Sequence, residues 1–258
     1  MPLDQPLVPA SARISPLHRV VMLLRFLADN SAKGARIPEI CAHLGIHRVS
    51  AHRLLKTLIA SEHVEQGPDQ AYRLGFEAWA LGLNYTQLFV PPVVAAALKQ
   101  ASEATEESVF LIRRAGTEGV CIAAHEGSYP LRALVMRVGT RVPLGAGGPS
   151  TVLLSQMSEE EAGRIIEANA KRYPPYGVTQ RDVELLTDQG RAQGYVFAKG
   201  YVAQELRTLA VAIPRSSATM AQMSLAIVAL ESRLCEPRRG ELLRALQAAA
   251  ATLRGVTY

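Results

Sequence analysis

The stretch that decides the fold is GIHRVSAHRLLKTL, residues 45–58. It contains three Arg or Lys and two His, and no Asp or Glu occurs between residues 40 and 61. Apolar residues recur in and just after this stretch at helical spacing: Ala51, Leu54, Leu55, Leu58 and Ile59. The pattern predicts a helix that starts at Arg48 and has one apolar face and one basic, acid-free face.

The basic face of this helix consists of Arg48, Val49, Ser50, His52, Arg53 and Lys56. A surface without acids can enter the major groove of DNA without repelling the phosphates. The alternative is a solvated basic face on an ordinary three-helix bundle, which fits the isolated segment at least as well. The segments on either side of this helix are therefore needed to distinguish a DNA-binding face from a solvated one.

Two helices are predicted before this segment. Ser15 is a good N-cap and Pro16 suits the first helical position, and apolar residues then recur at helical spacing as far as Ala28. The sequence GARIPEICAHLG predicts a short second helix with Pro38 near its start, which Gly45 ends in a left-handed turn. A short helix, a glycine turn and a helix with a basic face make a helix-turn-helix.

A hairpin follows the third helix. The segments HVEQ and AYRLG flank GPDQ, residues 67–70, which predicts two short strands around a turn. A hairpin wing after three helices favours DNA binding over the plain bundle.

Composition is compatible with this interpretation. A chain of 258 residues with 48% hydrophobic content fits one large domain or a small domain plus a medium one. Residues 1–75 contain nine Lys or Arg against six Asp or Glu, whereas residues 76–258 contain nineteen against seventeen. The net charge of +5 is by itself weak evidence for a nucleic-acid partner.

The cysteines and the hydropathy pattern favour a cytoplasmic protein. Cys41, Cys121 and Cys235 are too far apart in sequence for a metal knuckle or a CxxC pair, and their odd number argues against a disulfide framework. The first 15 residues contain three prolines and no apolar signal-peptide core, and no run approaches eighteen apolar residues. We therefore expect a soluble protein that is not exported.

The remaining sequence predicts a connecting helix and then an α+β domain. Residues 74–89 read as a helix ended by Pro91 and Pro92, and its Trp79 packs either on its own chain or in a dimer contact. Val94, Ala97, Leu98 and Ala101 mark another helix, and SVFLIRR with VCIAAHE predicts a hairpin. Further strands are predicted at 131–138, 195–202, 206–214 and 224–230. Further helices are predicted after a capping box of Ser158 with Glu161, after Thr179 as far as Gly194, and within residues 236–255.

Motifs of catalysis are missing from the sequence. The glycine-rich GAGGPS, residues 145–150, lacks the Gly-Lys-Ser/Thr of a phosphate loop, and HEGSY, from His125, has a tyrosine where a zinc helix needs its second histidine. No GxSxG elbow occurs. We therefore expect no catalytic residues, no cofactor and no metal, and we read GAGGPS either as a plain turn or as a loop that lets the backbone approach a ligand.

The N-terminal segment resembles the winged helix of IclR-type bacterial transcription regulators. The residues are LHRVVMLLRFLADN, then IPEICAHLGIHRVSAHRLLKTLIASEHVEQGPDQAYRLG, close to the family's IARRLGLPKSTVHRLLATLEAEGYVERD and YRLG. The resemblance places Arg48, Ser50, His52 and Arg53 towards DNA and Arg73 in the wing. His47 stands where the family usually has proline. Val49 replaces a small hydroxyl residue, and its methyl groups suit contact with a thymine methyl.

The same resemblance implies a GAF-like effector-binding domain in the second half. VPLGAGGPSTVLL aligns with the family's LPLHATALGKALL, which borders the effector pocket. The implied pocket residues are Leu131, Leu134, Val142, Gly148, Pro149, Ala198, Leu206, Thr208, Ala226 and Val228. Ala198 stands where the family often has an acid, so we expect a small organic acid with an apolar or aromatic body, held near residues 145–150. For Leu131, Leu134 and Leu206, ordinary core packing is a substantial alternative.

The sequence therefore predicts four segments: a flexible tail at 1–14, a winged helix-turn-helix DNA-binding domain at 15–75, a linker and dimerisation helix at 76–90, and an effector-binding domain at 91–258. The expected function is an operator-binding transcription regulator, dimeric or a dimer of dimers, modulated by a small molecule and not an enzyme. The alternatives are a small-molecule-binding or hydrolytic enzyme with an accessory DNA-binding-like module, and a constitutive architectural DNA-binding protein without a pocket.

Overall fold

A computed structural model of the chain describes residues 15–89, 91–130, 136–200, 205–217 and 222–256. The chain divides into two compact units, residues 1–88 and 89–258. In the part of the chain so described, no helix is both long and apolar enough to cross a membrane.

The first unit is a winged helix. Its elements are α1 (Pro16–Asp29), α2 (Ile37–Leu44), α3 (Arg48–Ala60), β1 (Val64–Gln66), β2 (Tyr72–Leu74) and α4 (Phe76–Phe89). The Ser15 hydroxyl accepts a hydrogen bond from the His18 amide at 3.2 Å, and Gly45 ends α2 at φ 60°. These local signals start and stop the helices as the sequence predicted.

Apolar residues of α1, α2, α3 and the hairpin form the core of this unit: Leu23, Leu27, Ile40, Leu44, Ala51, Leu55, Leu58, Val64 and Tyr72. Ile59, which the sequence places on the apolar face of α3, is 40% exposed. At about 100° per residue, Ile59 falls about 80° away from Ala51 around the helix, outside the buried strip.

Over the residues that the structure describes, the second unit is a six-stranded antiparallel sheet with helices on both faces. Its elements are α5 (Pro92–Thr105), β3 (Val109–Ala115), β4 (Glu118–His125), β5 (Arg141–Pro143), α6 (Gly148–Leu154), α7 (Glu159–Asn169), α8 (Gln180–Gln193), β6 (Tyr195–Lys199), β7 (Leu206–Ala212), β8 (Met223–Leu230) and α9 (Arg238–Thr252). The strand order is β5-β4-β3-β8-β7-β6. Side chains alternate between the two faces, so one core lies against α5 and α9 and the other against α6, α7 and α8. The α+β class is confirmed.

Three expectations for this unit need correction. Residues 136–138 are not a strand, and the rest of the predicted strand at 131–138 lies outside the described residues; β5 at Arg141–Pro143 pairs with β4 instead. Ser158 does cap α7, but Glu161 does not close a capping box, because its carboxylate pairs with Arg114 at 2.7 Å. The predicted strand at 195–202 ends at Lys199 among the residues that the structure describes.

Candidate functional site

The basic surface of α3 is formed as the sequence predicted. Val49, Arg53 and Lys56 follow one another at spacings of four and three residues, opposite the buried Ala51 and the rest of the apolar strip. We call these three side chains the outer ridge; all three are exposed. Arg48 and His52 are exposed beside the ridge, and Ser50 is half-buried.

Hydrogen bonding on this surface leaves its positive charge uncompensated. The Arg48 Nε donates to the His52 Nε2 at 3.4 Å, which requires a His52 ring that carries its proton on Nδ1. Within the described ranges, no carboxylate pairs with Arg48, Arg53 or Lys56. The surface is therefore suited to meeting an external polyanion.

Arg73, the wing residue, is in a different situation. Its guanidinium donates to both carboxylate oxygens of Asp69, at 3.0 and 2.7 Å, and to the Lys33 carbonyl at 3.0 Å. The hydrogen bond from Arg73 is the largest cause that holds the pKa of Asp69 well below its usual range. Arg73 thus closes the hairpin turn and ties it to the loop before α2, and its role at DNA stays a prediction.

Of the ten residues expected at the effector pocket, six lie on the sheet face covered by α6, α7 and α8, and two, Gly148 and Pro149, begin α6 itself. Leu131 and Leu134 lie outside the described residues. The core of this face includes Val142, Ala198, Leu206, Ala226 and Val228, with Val142 and Ala198 on strands at opposite edges of the sheet. Their part in ligand binding stays a prediction.

The other three, Gly148, Pro149 and Thr208, meet where α6 begins. A Cβ on Gly148 would lie 2.9 Å from the Thr208 Cγ2, so glycine allows the helix to touch the strand. The Ser224 hydroxyl donates to the Pro149 carbonyl at 2.8 Å. The start of α6 is therefore anchored to both β7 and β8.

The loop at residues 145–150 is held from within. The Ser150 hydroxyl donates towards the carbonyls of Ala146 and Gly147, at 3.0 and 2.9 Å, and the Thr151 hydroxyl donates to the Gly147 carbonyl at 2.9 Å. The Tyr173 hydroxyl donates to the Leu144 carbonyl at 2.8 Å, and burial raises the pKa of this phenol to about 12. The side-chain donors of the loop are thus used on its own backbone.

An ion network lies beside the residue that precedes this loop, since the Asn169 side-chain amide donates to the Leu144 carbonyl at 3.3 Å. Glu118 on β4 accepts hydrogen bonds from Arg172 and from Arg141 on β5. Burial alone would raise the pKa of Glu118, but these two guanidinium groups outweigh it and hold the pKa below its usual value. Arg172 also donates to the Asn169 side chain, whose amide donates to the Thr117 carbonyl at 2.8 Å.

A cleft of about 450 Å³ lies between α8 and the end of β6. It is lined by Gly147, Gly177, Val178, Asp182, Leu185, Leu186, Gln189, Phe197, Ala198 and Lys199. Of these, Ala198 was expected at the pocket, and Gly147 belongs to the 145–150 loop that was expected to border it. The residues of α8 were missed because Leu185 and Leu186 look like any apolar positions of an amphipathic helix; the 46% exposure of Leu185 appears only after folding.

The described residues contain no group of three or more His, Cys, Asp or Glu placed to hold a metal ion. Burial raises the pKa of the Cys121 thiol to about 12, which keeps it from being a thiolate nucleophile.

A winged helix with an acid-free recognition helix, followed by an α+β domain with a ligand-sized cleft, is the architecture of a DNA-binding transcription regulator. Family models agree with this class: the IclR helix-turn-helix domain matches residues 16–68, and the bacterial transcriptional regulator IclR C-terminal domain matches residues 87–254. The chain belongs to the IclR family of bacterial transcription regulators.

Known proteins of this family are distant in sequence and close in fold. The transcriptional repressor IclR of Escherichia coli K12 is 24% identical over 213 residues, which cover 80% of this chain and 76% of that protein. The crystal structure of an IclR regulator from Alicyclobacillus acidocaldarius superimposes with a TM-score of 0.77 at 20% identity, covering 94% of this chain and 98% of that one. An IclR homologue from Microbacterium hydrocarbonoxydans, crystallised with 4-hydroxybenzoate, has a TM-score of 0.71 at 24% identity and covers 93% of this chain and 97% of that one.

Proposed function

We propose that this regulator binds operator DNA through the exposed face of α3 and that a small organic acid, bound by the second unit, changes its affinity for that DNA. The observation that supports this most directly is the uncompensated outer ridge of α3 on a winged helix. The two cations of the ridge, Arg53 and Lys56, and Arg48 beside it have no carboxylate partner in the described residues, and they suit the phosphates and base edges of a major groove. Because the proposed target is bacterial operator DNA, we infer a cytoplasmic location.

The cleft between α8 and β6 is the proposed effector site. Its volume of about 450 Å³ lies in the range of small-molecule sites, and Val178, Leu185 and Leu186 give it an apolar wall. An aromatic or short aliphatic body would bury this wall. The 4-hydroxybenzoate bound to the Microbacterium homologue is a ligand of this kind.

Donors for a carboxylate are available at the edge of β6. The Gly200 amide donates to the Leu206 carbonyl, and Ala198 pairs with Thr208, so these residues direct their backbone groups towards β7. The alternating pattern then directs the amides of Phe197 and Lys199 away from β7, along the edge that borders the cleft. We therefore place the carboxylate there, because the hydroxyl groups of Ser150 and Thr151 are already used within their loop.

We also propose that the working form is a homodimer or a dimer of dimers. On α4, the side chains of Phe76 and Trp79 are 61% and 59% exposed, and their rings lie 5.3 Å apart. Leu83, seven residues after Phe76 and therefore on the same face of the helix, is 41% exposed. A second copy of the chain covering this apolar helix would bury these side chains.

The matching relatives are transcription regulators, and we propose no catalytic activity for this chain.

The test uses a duplex enriched from a random library by the wild-type protein, called here the selected duplex. Its affinity is measured by fluorescence anisotropy with a panel of aromatic and short aliphatic carboxylates, sugars and amines. We expect a carboxylate to change the affinity by about 5- to 150-fold. Leu185→Trp should fill the cleft and remove this response, without changing the affinity measured in the absence of ligand.

Asp188→Trp is the matched control, since Asp188 is exposed on the same helix and does not line the cleft. It should respond like the wild type. A response to sugars or amines alone, or an unaltered response in Leu185→Trp, would show that the effector site or its chemistry is wrong.

A further inference from the structure

Val49 is an apolar side chain in the middle of a basic surface. It is 73% exposed, compared with 40% for Ile59 on the same helix. Its neighbours on the surface are cationic or polar: Arg53 four residues on, and Arg48 beside it. An isolated exposed valine needs no explanation in general. The position of Val49 needs one, because Val49 is the second residue of α3.

The position of Val49 on α3 decides what it meets. N-terminal residues of a recognition helix contact base edges in the major groove. Val49 forms the outer ridge together with Arg53 and Lys56, so a duplex that reaches those two cations also meets Val49. Side chains on a helix lean towards its N-terminus, which brings the valine methyl groups to the end of the helix that enters the groove.

The chemistry of valine then selects the base. Its side chain has no hydrogen-bond donor or acceptor, so contact with the polar edges of guanine, adenine or cytosine would strip water from those atoms and give no bond in return. The one apolar group that the four bases present in the major groove is the C5-methyl of thymine. We propose that Val49 recognises this methyl group at one position in each half of the operator. The proposal rests on the proposed docking of α3 in the major groove.

Deoxyuridine provides the test, because it differs from thymidine in DNA only by the missing C5-methyl. Each thymine of the selected duplex is replaced in turn, and the affinity of the wild-type protein is measured by anisotropy. We expect one thymine in each half-site at which the replacement weakens binding about fourfold, the equivalent of one buried methyl group of about 0.8 kcal/mol. Replacing both positions should weaken binding roughly 15-fold.

Variants at residue 49 connect this thymine to the valine. Val49→Ser should bind the thymine and deoxyuridine duplexes at that position with equal affinity. Val49→Thr has nearly the same shape and keeps one methyl group, so it should retain part of the preference, and it guards against loss of folding in the serine variant. Val138→Ser is the matched control: Val138 is 61% exposed in the other unit, and the variant should keep the full wild-type preference.

The outcomes separate this inference from the function on which it rests. A wild-type protein that enriches no duplex would overturn the proposed operator binding itself. The wild type could instead bind the selected duplex and lose the same affinity as Val49→Ser and Val49→Thr at every deoxyuridine replacement. That result would overturn the role of Val49 and leave the proposed operator binding intact. Replacing the same thymine by cytosine and then by 5-methylcytosine is an independent check, since the added methyl should recover about fourfold in affinity.

Discussion

At the scale of single residues, α3 separates the side chains that fold the unit from those that face outwards. Ala51, Leu55 and Leu58 are buried, whereas Arg53 and Lys56 are exposed and have no carboxylate partner among the described residues. The energetic consequences of substitutions on the two faces should therefore differ. Changes on the buried face should lower stability, and changes on the outer ridge should lower DNA affinity.

Arg53→Ala should weaken binding to the selected duplex by about 5- to 150-fold, the range for loss of one arginine contact to a base edge. Its melting temperature should stay near the wild-type value, because an exposed side chain contributes little to the core. Arg244→Ala is the matched control, since Arg244 is exposed on α9 in the other unit and should leave the affinity unchanged. Unaltered binding by Arg53→Ala would remove this residue from the interface.

At the scale of elements, Glu118 joins three parts of the second unit through Arg141 and Arg172. Its side chain is 18% exposed, so the two charged hydrogen bonds are largely shielded from solvent. We expect Glu118→Gln to lower the free energy of unfolding at neutral pH by about 1 to 3 kcal/mol.

The effect of Glu118 should depend on pH in a defined direction. Because its pKa is lower in the folded state than the usual value of 4.5, its stabilisation is present above that pH and is lost as the pH falls through the folded-state pKa. Urea unfolding followed from pH 7 down to pH 3 should therefore show the wild type and Glu118→Gln converging in acid. Glu103→Gln, at an exposed ion pair, should change little. A constant difference between wild type and Glu118→Gln at every pH would contradict this assignment.

The elements that the sequence predicted correctly are those with local signals. Ser15, Gly45, Thr179 and Gly194 each mark a helix end through their own backbone or side-chain geometry. The outward face of α3 could be predicted for the same reason, because helical periodicity alone separates it from the buried strip.

Non-local pairing explains what the sequence did not show. The strand β5 at Arg141–Pro143 has only three residues and exists through pairing with β4, more than fifteen residues earlier. The cleft depends on how α8 packs beside β6, so Leu185 carries no mark of it in the sequence. Glu161 likewise fits a capping box locally, but the fold brings Arg114 within 2.7 Å of it.

At the scale of the whole molecule, the proposed regulator joins a DNA-binding unit and a ligand-binding unit in one chain. Two copies of α3 would occupy successive major grooves on one side of the duplex, which requires a partly palindromic operator. If two copies together neutralise roughly 6 to 10 phosphates, counterion release should dominate the affinity. The cationic surface of α3 is therefore the feature on which the proposed DNA binding depends most.

The most direct test of that claim is the affinity for the selected duplex as a function of salt concentration, for the wild type and for Lys56→Ala. We expect the wild-type affinity to fall on the order of 10³- to 10⁵-fold between about 50 and 200 mM salt. Lys56→Ala, changed in both copies, should bind more weakly and should lower the slope of log affinity against log salt by about 2. A wild-type affinity that ignores salt, or a slope that Lys56→Ala leaves unchanged, would contradict DNA binding by this face of α3.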